Sequence, residues 1–251
     1  MAEPLLRVEN VSKRFGGLLA VDRASFAAEP GRITALIGPN GAGKTTLFAM
    51  VAGFLAPTEG RIHYDGADIT GQPPHKLVRR GVARTFQIVQ PFAELTVREN
   101  IAVGSHLYRP ARADALAAAA KVAEAVDIGD LLDTPATALT VAARKRLELA
   151  RALAIEPRLL LLDEVLAGLN PSEVRDMVPV IRAIANQGVT IVMIEHIMQA
   201  VMSLAERVFV LSEGRIIAEG SPQEIAADPR VVEAYLGRGA AQRMTAGAAN
   251  G

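Results

Sequence analysis

The chain has 251 residues, 50% of them apolar, enough to build one large domain, or a domain with a subdomain, around a sizeable core. Lysine plus arginine equals aspartate plus glutamate at 27 each, so no global basic excess points to nucleic acid as a partner; the absence of cysteine excludes disulfides and cysteine-rich metal sites and agrees with a reducing cytoplasm. Met1 to Arg7 lacks the basic start and apolar core of a signal peptide, and no apolar run reaches the roughly 18 residues of a membrane span, so the expectation is a chain that does not cross a membrane by itself.

Leu5 to Val11 and Ala24 to Glu29 read as short strands joined through a turn at Gly16-Gly17, and Arg61 to Tyr64 as another before the Asp65-Gly66 turn. Together they predict an antiparallel sheet. Phe15 lies just before the glycine turn, where a ring can either stack on a base or fill the core; the residues alone leave both open. The apolar run Ile33 to Ile37 then leads into Gly38-Pro39-Asn40-Gly41-Ala42-Gly43-Lys44-Thr45-Thr46 and a helix-like segment. Strand, glycine-rich loop and helix in that order complete the G-x-x-x-x-G-K-[ST] pattern of a nucleotide-triphosphate site. Glycines let successive backbone N–H groups turn inward toward phosphate oxygens, helped by the positive end of the helix dipole. Lys44 is expected at the β- and γ-phosphates, Thr45 on a Mg²⁺ ion that keeps several waters, and Thr46 near the α-phosphate.

Ala83 to Gln87 reads as a strand ending in a polar residue, and the pattern from Thr96 to Ala154 turns helical. Thr96-Val97-Arg98-Glu99 has the form of a capping box, Ala113 to Val126 an alanine-rich amphipathic helix, and Val141 to Ala154 a further helix. Arg158 to Glu164 predicts a fully buried parallel strand of four leucines ending in two carboxylates. Adjacent acids are often only a solvated strand end, but the C-terminal ends of such strands are where α/β proteins place ligands. Asp163 then suits Mg²⁺, through a water, and Glu164 suits proton abstraction from an attacking water. Pro171 to Gln187 is expected to be helical, and Val189 to Ile194 a strand with Glu195-His196 at its end. A lone histidine is usually structural, yet His196 falls on the same rim and can face a γ-phosphate. A hairpin over Arg207 to Glu219, short helices at Ser221 to Ala227 and Pro229 to Leu236, and a frayed tail from Gly237 complete the reading.

With those pieces in order, the chain resembles an ATP-binding subunit of an ABC transporter over residues 5 to 236. Phe15 matches the family's adenine-stacking aromatic, Gly38 to Thr46 the Walker A loop, Gln87 the Q-loop glutamine, Asp163 and Glu164 the Walker B pair, and His196 the switch histidine. Ala167-Gly168-Leu169-Asn170 falls at the D-loop. Arg84-Thr85-Phe86-Gln87, the run Arg14 to Val21, and the ending Asp228-Pro229 to Leu236-Gly237 are similar to the ATPases of branched-chain amino acid importers.

The resemblance implies an α/β fold: a RecA-like P-loop NTPase core with an antiparallel β-subdomain and an α-helical subdomain at about 88–156, one domain over 1–238, and a disordered tail at 239–251. It implies ATP and Mg²⁺, the latter held by Thr45, Gln87 and Asp163, and hydrolysis by Glu164 with Gln87, His196 and Lys44. Implied partners are membrane permeases, a second and different ATPase subunit in a head-to-tail dimer, and indirectly a solute-binding protein, at the cytoplasmic face of the membrane. Where the family shows L-S-G-G-Q, this chain has Leu139-Thr140-Val141-Ala142-Ala143, so Thr140 and Ala142 are the atoms left to reach the opposing subunit's γ-phosphate. That substitution leaves open a weakened second site, or a subunit that binds ATP and barely hydrolyses it. Val165 and Asn170 depart from the family's usual proline and aspartate. A soluble ATPase of the same type acting on ribosomes or DNA is the alternative, though such relatives carry two ATPase halves or coiled-coil and zinc-bearing insertions. A P-loop kinase or GTPase is weaker still, since there is no N-K-x-D guanine motif.

Overall fold

The computed structural model describes residues 3–86 and 90–236; Gln87 and the expected tail at 239–251 lie outside them. The strands, in chain order, are β1 (Leu6–Phe15), β2 (Leu18–Ala28), β3 (Ile33–Ile37), β4 (Glu59–Tyr64), β5 (Ala67–Asp68), β6 (Val82–Arg84), β7 (Leu159–Asp163), β8 (Thr190–Ile194), β9 (Arg207–Ser212) and β10 (Arg215–Gly220). The helices are α1 (Lys44–Val51), α2 (Pro74–Arg79), α3 (Val97–Ser105), α4 (Arg112–Ala125), α5 (Val141–Leu153), α6 (Pro171–Asn186), α7 (Met198–Leu204), α8 (Pro222–Ala227) and α9 (Pro229–Leu236).

Two sheets result. The smaller, β2-β1-β4-β5, is antiparallel throughout, as expected. Its first two strands run longer than the sequence pattern suggests, because register shifts between Val8 and Arg14 and left-handed residues at Asn10 and Arg23 break the alternation without ending the pairing. The larger sheet has the order β10-β9-β3-β8-β7-β6, parallel except for β10 at one edge. Its central strands are buried on both faces, which explains the uninterrupted leucines of β7. Leu160 and Leu162 point into the core beneath the later helices, while Leu159 and Leu161 point into the core shared with α1 and the smaller sheet.

The register decides where the loops emerge. Asp163 lies opposite Ile194, and Leu36 lies opposite the same residue from the other side, so β3, β7 and β8 finish nearly level. The segments after them (Gly38 to Gly43, Glu164, and Glu195-His196) therefore share one edge of the sheet.

Helix ends follow the local chemistry. At α3 the capping box forms as expected, and α8 has one too: Thr96 accepts from the Glu99 N–H and Ser221 from the Glu224 N–H, with both glutamates reaching back to the cap N–H. A third, Asn170 with Glu173, opens α6 and gives the D-loop asparagine a local reason. The face of α4 that packs inward is Ala115, Ala119 and Ala123, while Asp114, Lys121 and Glu124 stay exposed, so the alanine-rich stretch is an amphipathic helix whose small side chains permit close packing. Helices α2 and α7 were not legible; neither has a side-chain cap, and both are short. No helix among the described residues is long and apolar enough to cross a membrane.

Candidate nucleotide site

The loop from Gly38 to Gly43 leaves buried β3 and feeds α1. Two of its glycines are required sterically. A Cβ at Gly38 would stand 1.9 Å from the Leu211 carbonyl oxygen, and one at Gly43 would stand 2.4 Å from that of Ala20, while Gly43 holds φ at 102°. Gly43 caps α1 without any side-chain hydrogen bond, so the first amides of that helix point outward unclaimed by a cap. The β9–β10 turn braces the loop from behind through Gly214 N–H to the Ala42 carbonyl, 3.0 Å.

Lys44 is 7% exposed and its ammonium lies 2.8 and 2.9 Å from the carbonyls of Gly38 and Pro39. Burial lowers its pKa, and the carboxylates of Glu164 and Asp163 oppose that shift. The ammonium is thus held at the loop's centre by weak neutral acceptors, which phosphate oxygens replace at a gain. A cavity of about 580 Å³ opens around it, lined among others by Phe15, Leu18, Asn40, Gly41, Ala42, Gly43, Thr45, Thr46, Glu164 and Glu213. Phe15 is 47% exposed at this rim, so it is not a core ring, and Lys13 Nζ lies 5.3 Å from its centre.

Glu164 follows β7 with φ at 50°, a left-handed conformation costly for a residue with a side chain. It is over-determined on both sides: its N–H donates to the Ile194 carbonyl at 3.0 Å, and its carbonyl accepts from Lys145 Nζ at 3.2 Å. That twist turns the carboxylate away from the sheet and toward the loop edge, where Glu164 Oε1 lies 3.9 Å from Nδ1 of the half-exposed His196. Asp163 is almost wholly buried. Its Oδ2 accepts from Arg84 Nη2 at 2.7 Å, whereas Oδ1 has no hydrogen-bond partner. Among the described residues no three His, Cys, Asp or Glu side chains converge on a common point. Asp163 and Thr45 line a second cavity together, and a carboxylate with one unpartnered oxygen and a hydroxyl are hard donors that fit Mg²⁺ when substrate phosphates and water complete its shell.

Thr140 and Ala142 do not line the cavity around Lys44. Thr140 is the N-cap of α5 and its hydroxyl oxygen accepts from the Ala143 N–H at 3.2 Å; Ala142 sits in the first turn. Gln87 lies outside the described residues. Sequence reasoning also passed over Glu195, fully buried, with Oε1 accepting from Leu166 N–H at 3.0 Å. Burial pushes its carboxyl up to about 7, with Glu164 adding to the rise. The signal for it in the sequence is a charged residue directly after an apolar strand.

A family model described as ABC transporter matches residues 21–167, and one described as branched-chain amino acid ATP-binding cassette transporter matches residues 215–241. The chain is 40% identical over 253 residues to the high-affinity branched-chain amino acid transport ATP-binding protein BraF of Pseudomonas aeruginosa, covering 94% of this chain and 99% of the relative. To the corresponding LivG protein of Escherichia coli K12 it is 39% identical over the same shares. Among solved structures it superposes on a nucleotide-free ATP-binding cassette from an ABC transporter with TM-score 0.86 and 34% identity, covering 93% of this chain and 99% of the other. An ADP-bound cassette gives TM-score 0.86 at 33% identity, covering 94% and 100%. A phosphate loop, two carboxylates and a histidine on one sheet edge, in a chain related along nearly its whole length to these cassettes, place it in the family of ABC transporter ATP-binding subunits.

Proposed function

We propose that this chain hydrolyses ATP to drive an importer for branched-chain or related hydrophobic amino acids, as the names of BraF and LivG suggest for those relatives. The observation that carries hydrolysis is the Glu164 carboxylate at the cavity that holds Lys44.

In this reading the adenine stacks on Phe15, and the loop of Gly38, Pro39, Asn40, Gly41, Ala42 and Gly43 wraps the phosphates with its backbone N–H groups, all but Pro39 having one to give, together with those of Thr45 and Thr46. Lys44 exchanges the Gly38 and Pro39 carbonyls for β- and γ-phosphate oxygens. Glu164 takes the proton of the attacking water and His196 steadies the γ-phosphate beside it. Magnesium, when bound at Thr45, Asp163 and the expected Gln87, neutralises charge on the phosphates. Phosphoryl transfer asks mainly for positioning and charge stabilisation, which this arrangement supplies.

The site is half a site. Thr140 and Ala142 stand at the N-terminus of α5, away from this chain's own cavity, and fit a γ-phosphate held by an opposing ATPase subunit. We assign the protein to the cytoplasmic face of the membrane, as one domain over 1–238, docked on permeases and served indirectly by a solute-binding protein. Isolating the chain from native membranes tests this: permeases and a second ATPase should copurify, and the binding protein encoded with them should hold a branched-chain or other hydrophobic amino acid. Recovery with ribosomes or DNA and no membrane protein would contradict it.

A further inference from the structure

The ion pair of Arg84 with Asp163 joins two regions that the site description leaves separate. Arg84 is the last residue of β6, and its side chain is 9% exposed. One of its nitrogens, Nη2, is spent on Asp163, and its Nε is buried without a hydrogen-bond partner. What holds the rest of the guanidinium is aromatic: its carbon lies 5.4 Å from the Phe86 ring centre and 5.8 Å from that of Phe54, and the two rings meet edge to face at 5.6 Å. Both rings are about half exposed. They stand at the outer wall of a cavity of about 660 Å³ whose lining runs from these rings past Arg84 to Thr45 and Asp163.

Resting on the reading of Asp163 as the metal-binding carboxylate, we infer that Arg84 is a positioning residue for it: the clamped guanidinium pins Oδ2 and leaves Oδ1 as the oxygen presented to the metal's water. The chemistry favours this. A carboxylate with neither oxygen held is free to turn toward other donors, and that removes it from a metal. Arginine keeps its charge, and its planar fork fixes the carboxylate's plane as a mobile lysine does not. Partners that orient a metal ligand commonly carry a tenfold to hundredfold share, roughly, of metal affinity. A pair that merely ties β6 to β7 would change stability and leave the metal's contribution to nucleotide binding untouched.

The test is equilibrium binding of a fluorescent ATP analogue in excess Mg²⁺ and again in EDTA, which reads the metal's contribution without turnover. Arg84→Met should keep the affinity in EDTA and lower the ratio of the two affinities by about tenfold, with Arg84→Lys restoring part of it. Combined with Asp163→Asn it should add nothing to the loss from Asp163→Asn alone. Should Arg84→Met not fold, Phe54→Leu with Phe86→Leu removes the clamp at exposed positions and should lower the ratio by a smaller factor. An unchanged ratio in whichever of these variants folds overturns the inference. If Asp163→Asn lowers the ratio and the Arg84 or ring variants do not, the role of Arg84 alone is wrong; if Asp163→Asn also leaves it unchanged, the metal reading falls and takes this inference with it.

Discussion

Two helix N-termini in this chain are proposed to meet phosphate, and they are built in opposite ways. Helix α1 begins at Gly43 in a left-handed conformation with no side-chain cap, so its leading amides face outward and the loop before it can wrap a polyphosphate. Helix α5 begins at Thr140, whose own hydroxyl oxygen already accepts from the Ala143 N–H. The first end is shaped by steric necessity, with carbonyls of Leu211 and Ala20 occupying the space a Cβ would need. The second has no glycine and is a capped helix start, so in the proposed head-to-tail dimer it would have only the Thr140 O–H and the amides not claimed by the cap to give. The chain keeps every residue of the first motif, while Val141, Ala142 and Ala143 stand where the family shows Gly, Gly and Gln in the second.

Breaking the first end should have the largest effect. Gly43→Ala places a side chain against the Ala20 carbonyl at a left-handed position and should abolish measurable nucleotide binding, read by equilibrium dialysis; retained affinity would mean the loop relaxes freely. Next, Lys44→Ala should reduce turnover by roughly a hundredfold or more, since it removes a charge aimed at the transferring phosphate. Unchanged nucleotide affinity and turnover would remove Lys44 from its assigned place. At the second end the effect should be smaller. Thr140→Val loses the cap and should cost about 1 kcal/mol in an unfolding titration, and restoring Gly at 141 and 142 should raise turnover of the assembled complex rather than lower it.

Apart from both helix ends, the buried Glu195 should give the stability a pH slope. Glu195 ordinarily would titrate near 4.5 but is held at about 7 by burial, so the folded protein binds the extra proton between those values. The stability it contributes is therefore present below pH 4.5 and is lost as pH rises through about 7, at no more than about 1.4 kcal/mol per pH unit. Glu195→Gln should flatten that slope in denaturant titrations at pH 5 to 7, and an unaltered slope would assign it to other groups.

What the sequence made legible follows the same contrast. The Gly38 to Thr46 loop is local, its residues contiguous and each required by its own backbone, so the strand-loop-helix reading needs no tertiary knowledge. The four leucines of β7 likewise announced a strand covered on both faces. The Arg84 contact with Asp163 spans 79 positions and depends on β6 pairing with β7, which no spacing rule contains. Phe15 stayed ambiguous because an aromatic at a strand end suits core or ligand equally; its 47% exposure at the cavity removes the core reading alone. The left-handed turn at Glu164 was hidden for the same reason: it is imposed by the Ile194 carbonyl and Lys145, each from a distant element.

Hydrolysis in the proposed site depends most directly on Glu164. In Glu164→Gln the amide keeps the size of the side chain and loses the base, so ATP affinity should stay within a factor of about two while turnover falls by roughly a hundredfold or more. Turnover near the wild-type rate, with ATP bound equally well, would show that the water is activated elsewhere.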